Sequence, residues 1–213
     1  MMKKLVLMLM AVTTMLPMAN AQELTKKQAK AVNKEVKAKL KDYKKRGYEI
    51  FGSSRTLETV LTKHLTAIES SEGKVVEVTG FSQAKSRNLA ATAAQNSAAN
   101  RYATSCSQQV KGRVLADMAS DVANQEAEFD KFYAAFEGKV QQEIKGELRQ
   151  SFAVAKQNED GTISVEAYYL VDDDAATRAR INALKNTQQE SAIAQKYAQK
   201  LSDFVNERVV PEN

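Results

Sequence analysis

The chain has 213 residues, with 31 lysines and arginines against 26 aspartates and glutamates, one histidine, one cysteine and no tryptophan. A lone cysteine, Cys106, excludes an intramolecular disulfide, so stability has to come from packing. A lone histidine, His64, excludes a histidine metal cage, and the chain has no Gly-x-Ser-x-Gly elbow, phosphate-loop glycine pattern, His-Glu-x-x-His run or cysteine pair.

Lys3 and Lys4 precede an apolar run from Leu5 to Leu16, Pro17, and the small residues Ala19 and Ala21. That order predicts a secretory signal over residues 1–21, cleaved before Gln22. The run is short of the about 20 residues that span a bilayer, and Gln22 stands where a lipoprotein would need its cysteine. Cleavage would leave 192 residues, enough for a real core. Charge is unevenly spread along them. Ten lysines and arginines between Glu23 and Arg46 face only Glu23, Glu35 and Asp42, a net of +7, so the rest of the mature chain sits near −4.

Residues 22–47 predict a basic amphipathic helix, with Ala29, Val32, Val36, Leu40 and Tyr43 in steps of three and four and Gly47 as its cap. Residues 48–213 read as a single α+β domain. Tyr48–Phe51 has extended character. A second helix follows from about Arg55 to Glu69, with hydroxyl caps at Ser53, Ser54 and Thr56. Val75–Phe81 reads as a strand, and the Ala-rich segment from Gln83 to Gln109 as a helix. Gly112 is expected to stop that helix and Arg113–Met118 to form a strand. The run Gln109–Val114 resembles Glu143–Leu148, which suggests a repeated helix, glycine stop and strand. Asn124–Lys145 carries Phe129, Phe132, Tyr133, Phe136, Val140 and Ile144 at helical spacing, a core face. Leu148–Lys156 and Thr162–Val171 flank Asn158-Glu159-Asp160-Gly161, a hairpin signal. Asp172, Asp173 and Asp174 open a final helix of about 30 residues, whose C-terminal half is expected to pair with the basic N-terminal helix. The architecture expected is α+β: a small, mainly antiparallel sheet of about four strands in the order αα-βα-βα-ββ-α, packed by helices, with long N- and C-terminal helices.

Three places hold groups that can bind charge. Ser53, Ser54 and Arg55, at a helix start, can bind an anion through hydroxyls, guanidinium and free amides. Lys30, Lys34, Lys37, Lys41, Lys44 and Lys45 form a polyanion-binding face on the basic helix. With few aromatics among them, base stacking is not served, and nucleic acid is not expected. The three consecutive aspartates suit a helix start and lack a complete cation loop. No metal or cofactor is expected. His64, at the edge of an apolar stripe, and Cys106, in an Ala-rich helix, both read as structural.

Val75–Phe81, the helix through Ala90, Ala94, Ala98 and Tyr102, and Ser151–Val154 with Glu166–Val171 resemble the LPP20-type envelope lipoprotein domain over roughly residues 73–172. The mature chain also resembles exported proteins of Bacteroides-type bacteria in Gly52–Glu58 and Ile144–Leu148. The resemblance implies a non-enzymatic protein of the cell envelope and carries over no catalytic residue; the absent lipoprotein cysteine departs from it. The resulting expectation is a periplasmic, outer-membrane-associated or extracellular protein with no transmembrane segment after cleavage. It would bind an envelope protein or polyanionic envelope component, or assemble with itself. The alternatives are a periplasmic anion or small-ligand binder using residues 52–56, and a carboxylate-based hydrolase, whose paired acids would stand roughly 5–10 Å apart.

Overall fold

The computed structural model describes residues 24–211; the export signal expected at 1–21 lies outside the described residues. Helix α1, Lys26–Arg46, starts at a capping box in which the Thr25 hydroxyl accepts the Gln28 amide and the Gln28 side chain accepts the Thr25 amide. It stops at Gly47, whose φ of 76° is left-handed and whose N–H donates to the Lys44 carbonyl. Strand β1, Glu49–Phe51, leads to helix α2, Leu57–Ser70, which the Thr56 hydroxyl caps by accepting the Thr59 amide. Next come strand β2, Val75–Ala84, and helices α3, Arg87–Asn124, and α4, Glu126–Lys145. Strands β3, Arg149–Gln157, and β4, Ile163–Asp172, form the expected hairpin, and helices α5, Asp173–Gln188, α6, Ala192–Lys196, and α7, Ala198–Asn206, complete the order.

The four strands make one antiparallel sheet in the order β1-β3-β4-β2. Alternation along the strands serves two cores rather than one. Val165, Ala167, Tyr169 and Val171 of β4 and Val76 and Val78 of β2 face the larger core, shared with α3, α4, α5 and α7. Phe152, Val154 and Tyr168 face the smaller one, with Val32, Val36 and Tyr43 of α1 and Val60, Leu61 and Leu65 of α2. The α+β class thus stands, with helices on both faces of the sheet.

Several expectations are overturned. Residues Arg113–Met118 are helix, and Gly112 sits inside α3 with helical backbone on both sides; the only non-helical point is Met118, at φ −140°. Val110, Val114 and Met118 recur at four-residue steps and are buried, while Leu115 is 45 % exposed. Burying three such side chains under the aromatic face of α4 is worth about 1.5–3 kcal/mol each. That outweighs the about 1 kcal/mol that glycine costs in a helix interior. The fourth strand is instead β1, and the Gln109–Val114 resemblance to Glu143–Leu148 is not a structural repeat. The expected long C-terminal helix breaks twice, at the polar Gln189–Ser191 stretch and at Tyr197, where φ is −110°. Helix α7 then folds back on α5 and α3, in the core across the sheet from α1, so it does not pair with the basic helix.

The outer edge of β2 is guarded. The Phe81 amide donates to Ser97 Oγ of α3 at 3.3 Å, and the Val75 carbonyl accepts from Arg208 at 3.3 Å. Both contacts use up groups that an incoming strand would need.

Candidate functional site

On α1, Val32, Val36 and Tyr43 bury one face. At about 100° per residue, Lys26, Lys27, Lys30, Lys34, Lys37, Lys41, Lys44 and Lys45 all fall within one arc of about 100°, on the side away from the core. All eight are exposed. The acidic side chains of the helix lie outside that arc, where Glu35 pairs with Lys39 at 3.8 Å and Asp42 with Arg46 at 2.8 Å. Among the described residues, no carboxylate comes within ion-pair reach of the eight. The six lysines singled out from the sequence are therefore part of a longer row. At 1.5 Å of rise per residue it runs about 29 Å, or one positive charge every ~4 Å.

The last turn of α1 is fixed to the sheet. Arg46 donates to both carboxylate oxygens of Glu166, at 2.6 and 3.3 Å, and lies over the rings of Tyr43 and Tyr48 at 5.1 and 4.8 Å. The carboxylate, only 7 % exposed, drives the Arg46 pKa still higher than usual, chiefly through these hydrogen bonds. Tyr43 donates to the Tyr168 hydroxyl at 2.7 Å, and burial raises both phenols. Tyr168 stacks on Phe152, its register partner, with ring centres 4.4 Å apart. The backbone that carries the row is thus braced against the sheet at its C-terminal end.

His64 is buried and bonded at both nitrogens: Nδ1 lies 3.0 Å from Ser151 Oγ and Nε2 2.5 Å from Glu77 Oε2. Ser151 occupies the irregularity between Gln150 and Phe152 in the β3–β4 pairing, and such a bulge re-aims a side chain. Glutamate, histidine and serine are connected as in a nucleophilic triad. Here, however, the imidazole packs edge-on against Phe152 and Tyr168, and none of the clefts described below is lined by Ser151. The three residues latch α2 to the sheet. Neither Glu77, 13 residues away, nor Ser151, 87 away, announces itself from the sequence.

Ser53, Ser54 and Arg55 are exposed in the β1–α2 loop. The Ser53 hydroxyl accepts the Arg55 amide at 3.1 Å, and the helix cap is Thr56. A cleft of about 750 Å³ lies at the α2–β2 and β4–α5 junctions and is lined by residues that include Ser70, Ser71, Lys74, Asp172, Asp174 and Arg178. Its aspartates serve locally. Asp173 lies 3.6 Å from Arg208, Asp172 3.8 Å from Arg149, and both Asp173 and Asp174 stand in the first turn of α5, as the helix dipole favours. Among the described residues no three acidic, histidine or cysteine side chains converge as a metal site, and no helix is long and apolar enough to cross a membrane.

Arg180 is fully buried and meets only neutral acceptors. Nε donates to the Val205 carbonyl at 2.9 Å, Nη1 to the Tyr102 hydroxyl at 2.5 Å, and Nη2 to Thr177 and the Glu207 carbonyl at 2.9 and 3.0 Å. The carbonyl end of α7 supplies the partial negative charge that a carboxylate would otherwise bring. Cys106 lies in the same pocket, and burial pushes its thiol up to about 12. No family model matches this chain, and neither a curated protein nor a solved structure is significantly similar to it.

Proposed function

We propose that this chain is an exported, non-enzymatic protein of the cell envelope that binds an acidic polymer along α1. The observation that carries the reading is the segregation of charge: eight unpaired lysines in one arc, with the acidic residues of the helix turned aside and neutralised. Mixed surface charge, the usual solvated face, intersperses the signs. The apolar face of α1 is occupied by α2 and the sheet, so the helix has no free face to sink into a bilayer and contact has to be electrostatic. The order of residues 1–21 supports export, and export favours an envelope polysaccharide over nucleic acid.

Titration of labelled polygalacturonate at rising salt tests this, using the chain from Gln22 onward and a Lys30→Gln/Lys34→Gln/Lys37→Gln/Lys41→Gln variant. The expected result is an affinity that falls steeply with salt and drops at least about tenfold in the variant, because each lost contact releases fewer counterions. Equal affinity of the two proteins, or stronger binding to phosphatidylglycerol vesicles than to the polymer, overturns the reading.

A further inference from the structure

The lysine row ends at Lys45, two residues before the helix cap Gly47, and Gly47 lines a cleft of about 540 Å³ whose wall also carries Lys85, Arg87 and Lys156. Two pieces of chain supply these cations: the C-terminal end of β3 gives Lys156, and the short β2–α3 junction gives Lys85 and Arg87. None of the three has a carboxylate within ion-pair reach among the described residues, and Lys156 is held over the Tyr48 ring at 5.2 Å. Tyr48 in turn lies under Arg46, so the lip of the cleft is built from the same brace that fixes α1. Two of the lining residues are exposed glycines: Gly161, at φ 77°, and Gly47 would each meet nothing within 4 Å if a Cβ were added, which leaves open space for a ligand group. The single acidic group on the wall is Glu49, so the lining carries a net of +2.

We infer that this cleft is a second anion site that takes one phosphomonoester, at the end or on a branch of the polymer laid along α1. Charge selects the class. A phosphomonoester carries about −1.5 to −2 at neutral pH, matching the net charge of the lining, whereas a carboxylate carries one charge. Two lysines and an arginine, brought together from two separate segments, supply several charged donors for an oxyanion with three outward oxygens. Lys45 stands two residues from Gly47, close enough for one polymer to reach from the row into the cleft, and a linked second contact raises overall affinity without improving either site. The inference rests on the polymer-binding reading for its biological ligand, but the cleft itself is tested alone.

The probe is mannose 6-phosphate, followed through the amide NMR signals of Gly47, Gln157 and Gly161, with unphosphorylated mannose as the control. The phosphorylated sugar is expected to shift these signals and mannose to leave them in place. Lys85→Gln/Lys156→Gln should weaken binding at least about tenfold, and Glu49→Gln should tighten it several-fold by removing the acidic group of the wall. Unaltered melting of the variants establishes that the fold is intact, since none of the three side chains enters a core. The lysine-row variant should bind mannose 6-phosphate as the unmodified protein does, so failure of the row and failure of the cleft are read separately. Absence of shifts at millimolar sugar phosphate, equal shifts by mannose, or an unchanged affinity in Lys85→Gln/Lys156→Gln overturns the inference.

Discussion

Gly80 is where α3 meets the sheet backbone to backbone, and Gly80→Ala tests that contact. A methyl group at this Cα would stand 1.9 Å from the Ala94 carbonyl oxygen and 2.9 Å from the Ala98 nitrogen. Comfortable heavy-atom contact begins at roughly 3.5 Å, so α3 would have to retreat by roughly 1.5 Å where it crosses β2. Both partners are main chain, and no rotamer change relieves the clash. Retreat would also part Ala90, Ala94 and Ala98, all fully buried, from the strands beneath them. A gap of 0.5–1 Å already forfeits about a quarter to a half of the dispersion well. Overpacking costs about 1–3 kcal/mol in general, and here the upper end applies: about 3 kcal/mol, or a Tm about 6–12 °C lower for a chain of this size. Urea unfolding followed by circular dichroism, with a thermal melt in parallel, measures it. A loss below about 0.5 kcal/mol, the range of inert surface changes, would refute the close approach of α3 to β2.

Gly112→Ala has a sign that decides between helix and stop: inside α3, with nothing within 4 Å of the added methyl, it should stabilise by about 0.5–1 kcal/mol, whereas a left-handed stop would make it destabilising. Arg180→Met leaves the Val205 and Glu207 carbonyls and the Tyr102 hydroxyl without their donor and should cost about 3–5 kcal/mol, with faster hydrogen exchange in α7; unchanged protection there would refute the role of Arg180 as its anchor. Alkaline pH should destabilise through Cys106, because the unfolded thiol loses its proton near pH 9 while the folded one holds it to about 12. The unfolded state then binds fewer protons, so stability falls as pH rises through that window, by about 1.4 kcal/mol per pH unit from this group once pH is well above 9. Urea midpoints at pH 8, 9 and 10 check it, and Cys106→Ala should flatten the dependence between 9 and 10; an equally steep fall in the variant would refute it.

Most elements were legible because local rules and tertiary packing agree along them. Helix α1 shows its stripe, its cap and its charges to a reader of the sequence alone, and the lysine row needs only helical periodicity to be drawn. The Asn158–Gly161 turn did the same for the hairpin, where the Asp160 side chain accepts from the Thr162 hydroxyl and amide and is held below the usual carboxylate range. At Gly112 the two levels conflict: a glycine before a valine-bearing run resembles a stop and a strand, and only the aromatic face of α4, folded over Val114 and Met118, keeps the helix going. The break in the C-terminal helix has a similar origin. Its polar middle was visible, but the return of α7 onto α5 depends on a buried Arg180 finding carbonyls 25 and 27 residues further on.

Helical periodicity by itself settles where charge and apolar surface lie on one element, because both follow from a fixed rotation per residue. It cannot bring together groups from separate elements. Contact between His64, Glu77 and Ser151, the Arg46–Glu166 brace, and the meeting of Gly47 with Lys85, Arg87 and Lys156 all require the sheet to be assembled. Strand pairing and the covering of both sheet faces decide those contacts, since spatial neighbours far apart in the chain leave no local pattern to read.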